Sequence, residues 1–133
     1  MRDREASPRW RANFDMIYGQ VLAYQVRLYE YGARLQLQTV NPKPIKNIHG
    51  PKKPTNYWGM GNSPKTITDD VTKEKRELAQ AVLQKIVVEH SGTPFATRAE
   101  WELRRAFSMD LNEGYLDPRL RNPGTPRPNV PKL

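Results

Sequence analysis

The sequence has 133 residues, a net charge of +8 and 12 prolines, and its length suits one small domain. Because it contains no cysteine, a disulfide scaffold, a zinc–thiolate site and a cysteine nucleophile are excluded. No apolar stretch near the start is typical of a signal peptide, and none reaches the roughly 18 residues of a membrane helix, so we expect a cytoplasmic protein by default.

Residues 8–39 are predicted to form one long helix. Ser7 suits the N-cap, Pro8 suits the first helical position, and Asn41-Pro42 ends the helix. Apolar residues recur along it at spacings that alternate between four and three, which is the heptad pattern of a helix–helix seam. These residues are Trp10, Phe14, Ile17, Val21, Tyr24, Leu28, Tyr31 and Leu35, with Tyr18, Leu22, Val26 and Tyr29 as a flanking stripe.

The four tyrosines of this helix leave three interpretations open. They fit a core with semi-polar edges, a seam between subunits, because tyrosine is favoured where one end of the ring stays wet, or a stacking platform for single-stranded nucleic acid. These residues are Tyr18, Tyr24, Tyr29 and Tyr31.

Residues 41–67 are predicted to form an irregular basic loop, since five prolines and three glycines interrupt them. A loop of this length is either disordered or held against something. Tyr57, Trp58 and Met60 are costly to leave in water, so we expect this segment to anchor on a partner surface.

Residues 69–107 are predicted to form a helix hairpin. Thr68 suits the first N-cap, Gly92 suits a left-handed position after the first helix, and Thr93-Pro94 starts the next helix. The expected buried residues are Val71, Leu78, Val82 and Ile86, with Ala79, Leu83 and Val87 beside them, and then Phe95, Ala96, Ala99, Leu103, Ala106 and Phe107.

Residues 112–133 contain five prolines and are predicted to be an extended tail rather than helix or central strand. Most of the net positive charge lies in this tail and in the loop 41–67, so both are interpreted as basic arms suited to nucleic acid, acidic protein or acidic lipid. The basic residues of the arms are Lys43, Lys46, Lys52, Lys53, Lys65, Arg119, Arg121, Arg127 and Lys132.

No set of side chains in the sequence suggests catalysis or a cofactor. His49 and His90 lie in separate connectors, and Asp69-Asp70 suits the positive end of a helix dipole better than a metal. Gly59-Met60-Gly61 lacks the context of a phosphate-binding loop. We therefore expect neither an enzyme nor a bound metal or cofactor.

The stretch Leu78–Leu103 combines a helix, a Gly92-Thr93-Pro94 turn, an aromatic–alanine pair and the small residue Ala99. It resembles the helix–turn–helix unit of tetratricopeptide-like repeats. It is also similar to the C-terminal region of uncharacterised bacterial proteins, including some with a von Willebrand factor A domain, in which a tyrosine-rich helix precedes the hairpin and a proline-rich end follows. Since such repeats need about three copies for stability, the long helix or another subunit must supply further packing surface.

These observations predict an all-α fold in which one long amphipathic helix packs on a repeat-like hairpin. Residues 1–111 form the domain and residues 112–133 the tail. The expected function is a non-enzymatic structural or accessory subunit that contacts other protein subunits in a hetero- or homo-oligomeric assembly. The alternative is a nucleic-acid-associated peripheral protein of ribosomal-subunit type that binds through its basic arms.

Overall fold

The computed structural model describes residues 7–46 and 54–117. These residues form the helices α1 (Pro8–Val40), α2 (Asp69–Glu89) and α3 (Pro94–Arg104), and the strands β1 (Tyr57–Ser63) and β2 (Ser108–Gly114). The basic-arm residues Lys52, Lys53, Arg119, Arg121, Arg127 and Lys132, like His49, lie outside the described residues.

The chain divides into two compact units. The first unit comprises the chain up to Lys43 together with Met60–Leu111, and so contains all three helices. The second unit comprises Pro44–Gly59 and the chain from Asn112 onward.

The three helices begin and end close to their predicted bounds, because the local signals are strong. Pro8 opens α1, and Asn41 is its C-cap. Gly92, between α2 and α3, adopts a left-handed φ of +77°, where glycine has no Cβ penalty. The Thr93 side chain accepts a hydrogen bond from the Ala96 N–H at 3.4 Å and so caps α3.

In the first unit α1 packs on the hairpin formed by α2 and α3. Two expectations for the hairpin are wrong: Val71 and Leu78 of α2 are exposed, and α3 ends at Arg104 rather than near Phe107. Phe107 is nevertheless buried, because Ala106 turns the chain with a positive φ of 60°. The core consists of Met16, Leu22, Ala23, Val26, Ala79, Leu83, Ile86, Ala99 and Phe107.

The all-α prediction is correct for most of the described chain but omits a two-stranded sheet of β1 and β2. The strands are antiparallel, since the Asn56 N–H donates a hydrogen bond to the Gly114 carbonyl oxygen and the Asn62 side-chain amide donates one to Met109 Sδ. Residues 41–67 are therefore not wholly irregular. Glycines at 59 and 61 lower the strand propensity of β1, and its pairing partner lies about fifty residues away, so local pattern gives no signal of it.

The first three residues of the predicted extended tail, 112–114, belong to β2. No proline lies between Pro94 and Pro118, so every backbone N–H in β2 remains available for pairing. The part of the tail from residue 118 onward lies outside the described residues.

Candidate interaction surface

Helix α1 carries two stripes with the same heptad spacing on opposite faces. The outer stripe is the predicted seam: Trp10, Phe14, Ile17, Val21, Tyr24, Leu28, Tyr31 and Leu35. The inner stripe lies two residues further along and consists of Ala12, Met16, Gly19, Ala23, Val26 and Glu30. Two residues rotate a helix by about 200°, so the stripes face away from each other.

The inner stripe packs against the hairpin and is buried throughout. Its small residues let the helix backbones approach closely. At Gly19 an added Cβ would lie 2.9 Å from Leu83 Cδ2 and 3.3 Å from Val82 Cγ1, and Leu83 is itself fully buried. The bulky outer stripe has no such fit, which is why the small stripe forms the core.

A buried ion pair joins α1 to α3 beside the inner stripe. Arg27 Nη1 donates to Glu102 Oε2 at 3.1 Å, and neither side chain is more than 8% exposed. Arg27 Nε and Nη2 also donate to the Ala106 carbonyl oxygen at 3.2 and 3.0 Å. Gln20 and Arg98 donate to the other oxygen of Glu102 at 3.1 and 3.2 Å. Both charges are therefore satisfied without water.

Glu30, at the end of the inner stripe, ties α1 to the start of α2. Its carboxylate accepts hydrogen bonds from the N–H groups of Ile67 and Thr68, each at 2.9 Å, and from the hydroxyls of Thr66 and Thr68. Burial by itself would raise the pKa of Glu30, but these hydrogen bonds together outweigh it and hold the pKa below its ordinary value. The carboxylate thus stays ionised and compensates the N–H groups ahead of α2.

The outer stripe, by contrast, is exposed along its whole length at all eight residues. Exposure ranges from 41% at Tyr31 to 70% at Leu28. The flanking Tyr18 and Tyr29 are also exposed. The interpretation that the four tyrosines pack in the core of this chain is therefore wrong: the inner stripe occupies that place.

An apolar groove of about 580 Å³ runs beside the C-terminal half of the outer stripe, between α1 and α2. Leu28 and Tyr29 form one wall and Val71 the other. At its floor Gly32 has no heavy atom within 4 Å of the position that a Cβ would take. The exposed Val71, which was predicted to be buried, thus extends the apolar surface beyond α1.

Few charges border the outer stripe. The acidic residues of α1, Asp15 and Glu30, are both buried. Arg27 is buried too, and Arg34 is held by Asp110 and by the Met109 carbonyl oxygen. Arg9 and Arg11 remain near the N-terminus of the helix. The exposed face of α1 is consequently apolar beyond Arg11, while on the hairpin Lys75 lines the groove with its ammonium 5.4 Å from the centroid of the Tyr29 ring.

The predicted anchor residues Tyr57, Trp58 and Met60 lie along β1. In the second unit the Tyr57 ring lies over Gly114 of the paired strand, where an added Cβ would meet the ring at 2.5 Å. Tyr57 remains 38% exposed, whereas Trp58 and Met60 are half-buried. Part of the aromatic surface of this segment thus packs on the paired strand.

The described basic-arm residues Lys43, Lys46 and Lys65 are exposed. The Arg105 guanidinium lies 4.4 Å from the centroid of the Trp101 ring, and the Arg98 guanidinium lies 4.2 Å from the same centroid. His90 is the C-cap of α2.

Sequence reasoning found the outer stripe but missed the inner one together with Arg27, Glu30 and Glu102. The signal of the inner stripe is present in the sequence as the small residues Ala12, Gly19 and Ala23 at heptad spacing, with Glu30 at the end. A pattern of large apolar residues does not reveal the inner stripe.

No protein-family model, curated protein or solved structure matches this chain. Among the residues that the structure describes, no group of three or more acidic or histidine side chains could hold a metal ion. Within residues 7–46 and 54–117, no helix has the length and apolarity needed to cross a membrane.

Proposed function

We propose that this protein is a non-enzymatic structural or accessory subunit that contacts another protein through the outer stripe of α1. The observation that carries the proposal is an exposed heptad stripe of eight apolar residues on a helix whose opposite face is already filled. Continuous apolar surface of this extent is uncommon on monomers and is typical of interaction sites.

The anchoring of α1 supports this function. The buried Arg27–Glu102 pair and the hydrogen bonds of Glu30 fix the helix on the hairpin. The outer stripe is therefore held on a rigid support. Because α1 is already ordered, partner binding costs little conformational entropy in this chain. Heptad spacing favours a helical partner, since helices with this period interlock along their length.

The resemblance of residues 78–103 to a tetratricopeptide-like hairpin agrees with the same proposal. A single hairpin of that kind needs further packing surface. On one side α1 supplies it through the inner stripe. A partner on the outer stripe would complete a layered helical arrangement.

The proposal is tested with two variants matched for exposure. Leu28 in the outer stripe and Val88 on α2 are both 70% exposed, so neither Leu28→Arg nor Val88→Arg disturbs the core. Tagged full-length chains are purified from the native host, and the mass and composition of the complexes are measured.

We expect the wild type and Val88→Arg to be recovered in a complex of defined stoichiometry, with a second copy or with another chain. We expect Leu28→Arg to be recovered alone. The same complex with Leu28→Arg, or no complex with the wild type, would contradict the proposal.

A further inference from the structure

We infer that the partner of the outer stripe is the outer stripe of a second copy of this chain, with the two α1 helices antiparallel. The inference rests on the proposed function and names the occupant of the same surface. It follows from four features of the described residues: the order of the stripe, its area, its charges and the neighbouring groove.

The outer stripe has the same order of spacings in either chain direction, because intervals of four and three residues alternate from Trp10 to Leu35. Two antiparallel copies therefore meet in four kinds of layer, and every stripe residue has a counterpart. The layers are Trp10 with Leu35, Phe14 with Tyr31, Ile17 with Leu28, and Val21 with Tyr24. Two of them, Trp10 with Leu35 and Val21 with Tyr24, combine a large with a smaller side chain, which favours interdigitation. A parallel pair would instead stack Trp10 on Trp10 and Tyr24 on Tyr24.

The exposed area of the outer stripe matches the area that each partner buries in a stable dimer. A side chain of this size that is about half exposed leaves roughly 100 Å² in water, so the eight stripe residues present about 800 Å². A standard protein–protein interface buries roughly 800 Å² on each partner. The outer stripe therefore suffices by itself, without a contribution from the remainder of the chain.

The charges favour antiparallel order. Within the described helix α1 no charged side chain is exposed in the middle of the stripe, because Arg9 and Arg11 lie at one end of the helix, and Lys75 of α2 lies at the groove beside the stripe. In a parallel dimer these arginines would lie side by side. In the antiparallel dimer the two Arg11 residues are separated by about 35 Å along the helix axis, well beyond the screening length of roughly 8 Å at physiological ionic strength.

The groove beside Gly32 gives the second copy a further contact. In antiparallel order residues 25–36 of one helix lie against residues 9–20 of the other. Tyr18, whose ring stacks on Phe14 at 6.5 Å between centroids, then lies on the flank that faces the groove. The empty space above Gly32 is thus opposite a large exposed aromatic side chain of the second copy.

The chain's own residues 118–133 are a poorer occupant. They include Leu120, Val130 and Leu133 as aliphatic residues and have no aromatic residue. Three aliphatic side chains cannot match a stripe of eight. A second copy carries a complementary residue for each position.

Association is measured by sedimentation equilibrium of the purified full chain from about 1 to 100 μM. We expect the wild type and Val88→Arg to reach twice the monomer mass of 15.4 kDa. Leu28→Arg places an arginine in two symmetry-related layers, so we expect its dissociation constant to rise at least about 100-fold. Circular dichroism checks that the variant keeps its helix content.

Orientation is measured by the distance between spin labels. The chain has no cysteine, so Arg9→Cys gives one labelling site, at an exposed position. Antiparallel helices place the two labels about 40 Å apart. A separation under about 15 Å would mean parallel order and would overturn the inference.

A folded wild type that stays monomeric at 100 μM would also overturn the inference. The proposed function then survives if Leu28→Arg still loses the complex recovered from the native host, because the outer stripe binds a different protein. If Leu28→Arg makes no difference there either, both the inference and the proposed function fail.

Discussion

The two faces of α1 have the same period and opposite chemistry. Ala12, Gly19 and Ala23 on the inner stripe bring the backbone of α1 close to the hairpin, and Arg27 and Glu30 make hydrogen bonds at that contact. The outer stripe has larger side chains, and each of them stays at least 41% exposed. The comparison teaches that apolar bulk alone does not select the core. Close approach and full hydrogen bonding of buried polar groups select it.

The largest effect is expected at the buried ion pair of the inner face. Glu102→Ala leaves the Arg27 guanidinium buried without its counter-charge, so we expect a loss of about 3–5 kcal/mol in the free energy of unfolding. Glu100, two residues away, is exposed, and Glu100→Ala should change the same quantity by less than about 0.5 kcal/mol. Urea unfolding at pH 7 measures both. Equal losses would show that the pair does not stabilise this face.

Two valines on α1 compare the faces directly. Val26 is fully buried in the inner stripe, whereas Val21 in the outer stripe is 46% exposed. We expect Val26→Ala to cost about 2 kcal/mol through lost burial and the cavity it leaves, and Val21→Ala less than about 0.5 kcal/mol. Both substitutions are introduced into the Leu28→Arg chain, so that dimer association does not contribute to the measured free energy of unfolding. A larger cost at Val21 would reverse the assignment of the faces.

A smaller, pH-dependent effect is expected at Glu30. Because its pKa is lowered in the folded protein, the ionised carboxylate stabilises the fold above the unfolded-state pKa of about 4.3, and this contribution disappears as the pH falls through the folded-state value. We expect Glu30→Gln to lose about 1 kcal/mol at pH 7 and to lose stability less steeply than the wild type in acid. The exposed Glu77→Gln serves as control, and identical acid profiles for all three proteins would refute the role of Glu30.

The sequence predicted the helices well because their signals are local. Pro8, Gly92 and Thr93-Pro94 act within one helical turn, and the structure places helix ends beside them. The strands were missed because β1 and β2 pair across a long stretch of chain and neither has a strong strand composition. Similarly, no local pattern indicates that Glu102 is buried, since its partner Arg27 is 75 residues away.

By itself, the sequence determined where the helices lie and that α1 has a heptad stripe of bulky apolar residues. Only the tertiary structure decided which face of α1 is buried against the hairpin of the same chain. The reason is geometric: a helix can bury only one face against a single hairpin, and the face with Gly19 allows the closer approach. The larger stripe is thereby left on the outside.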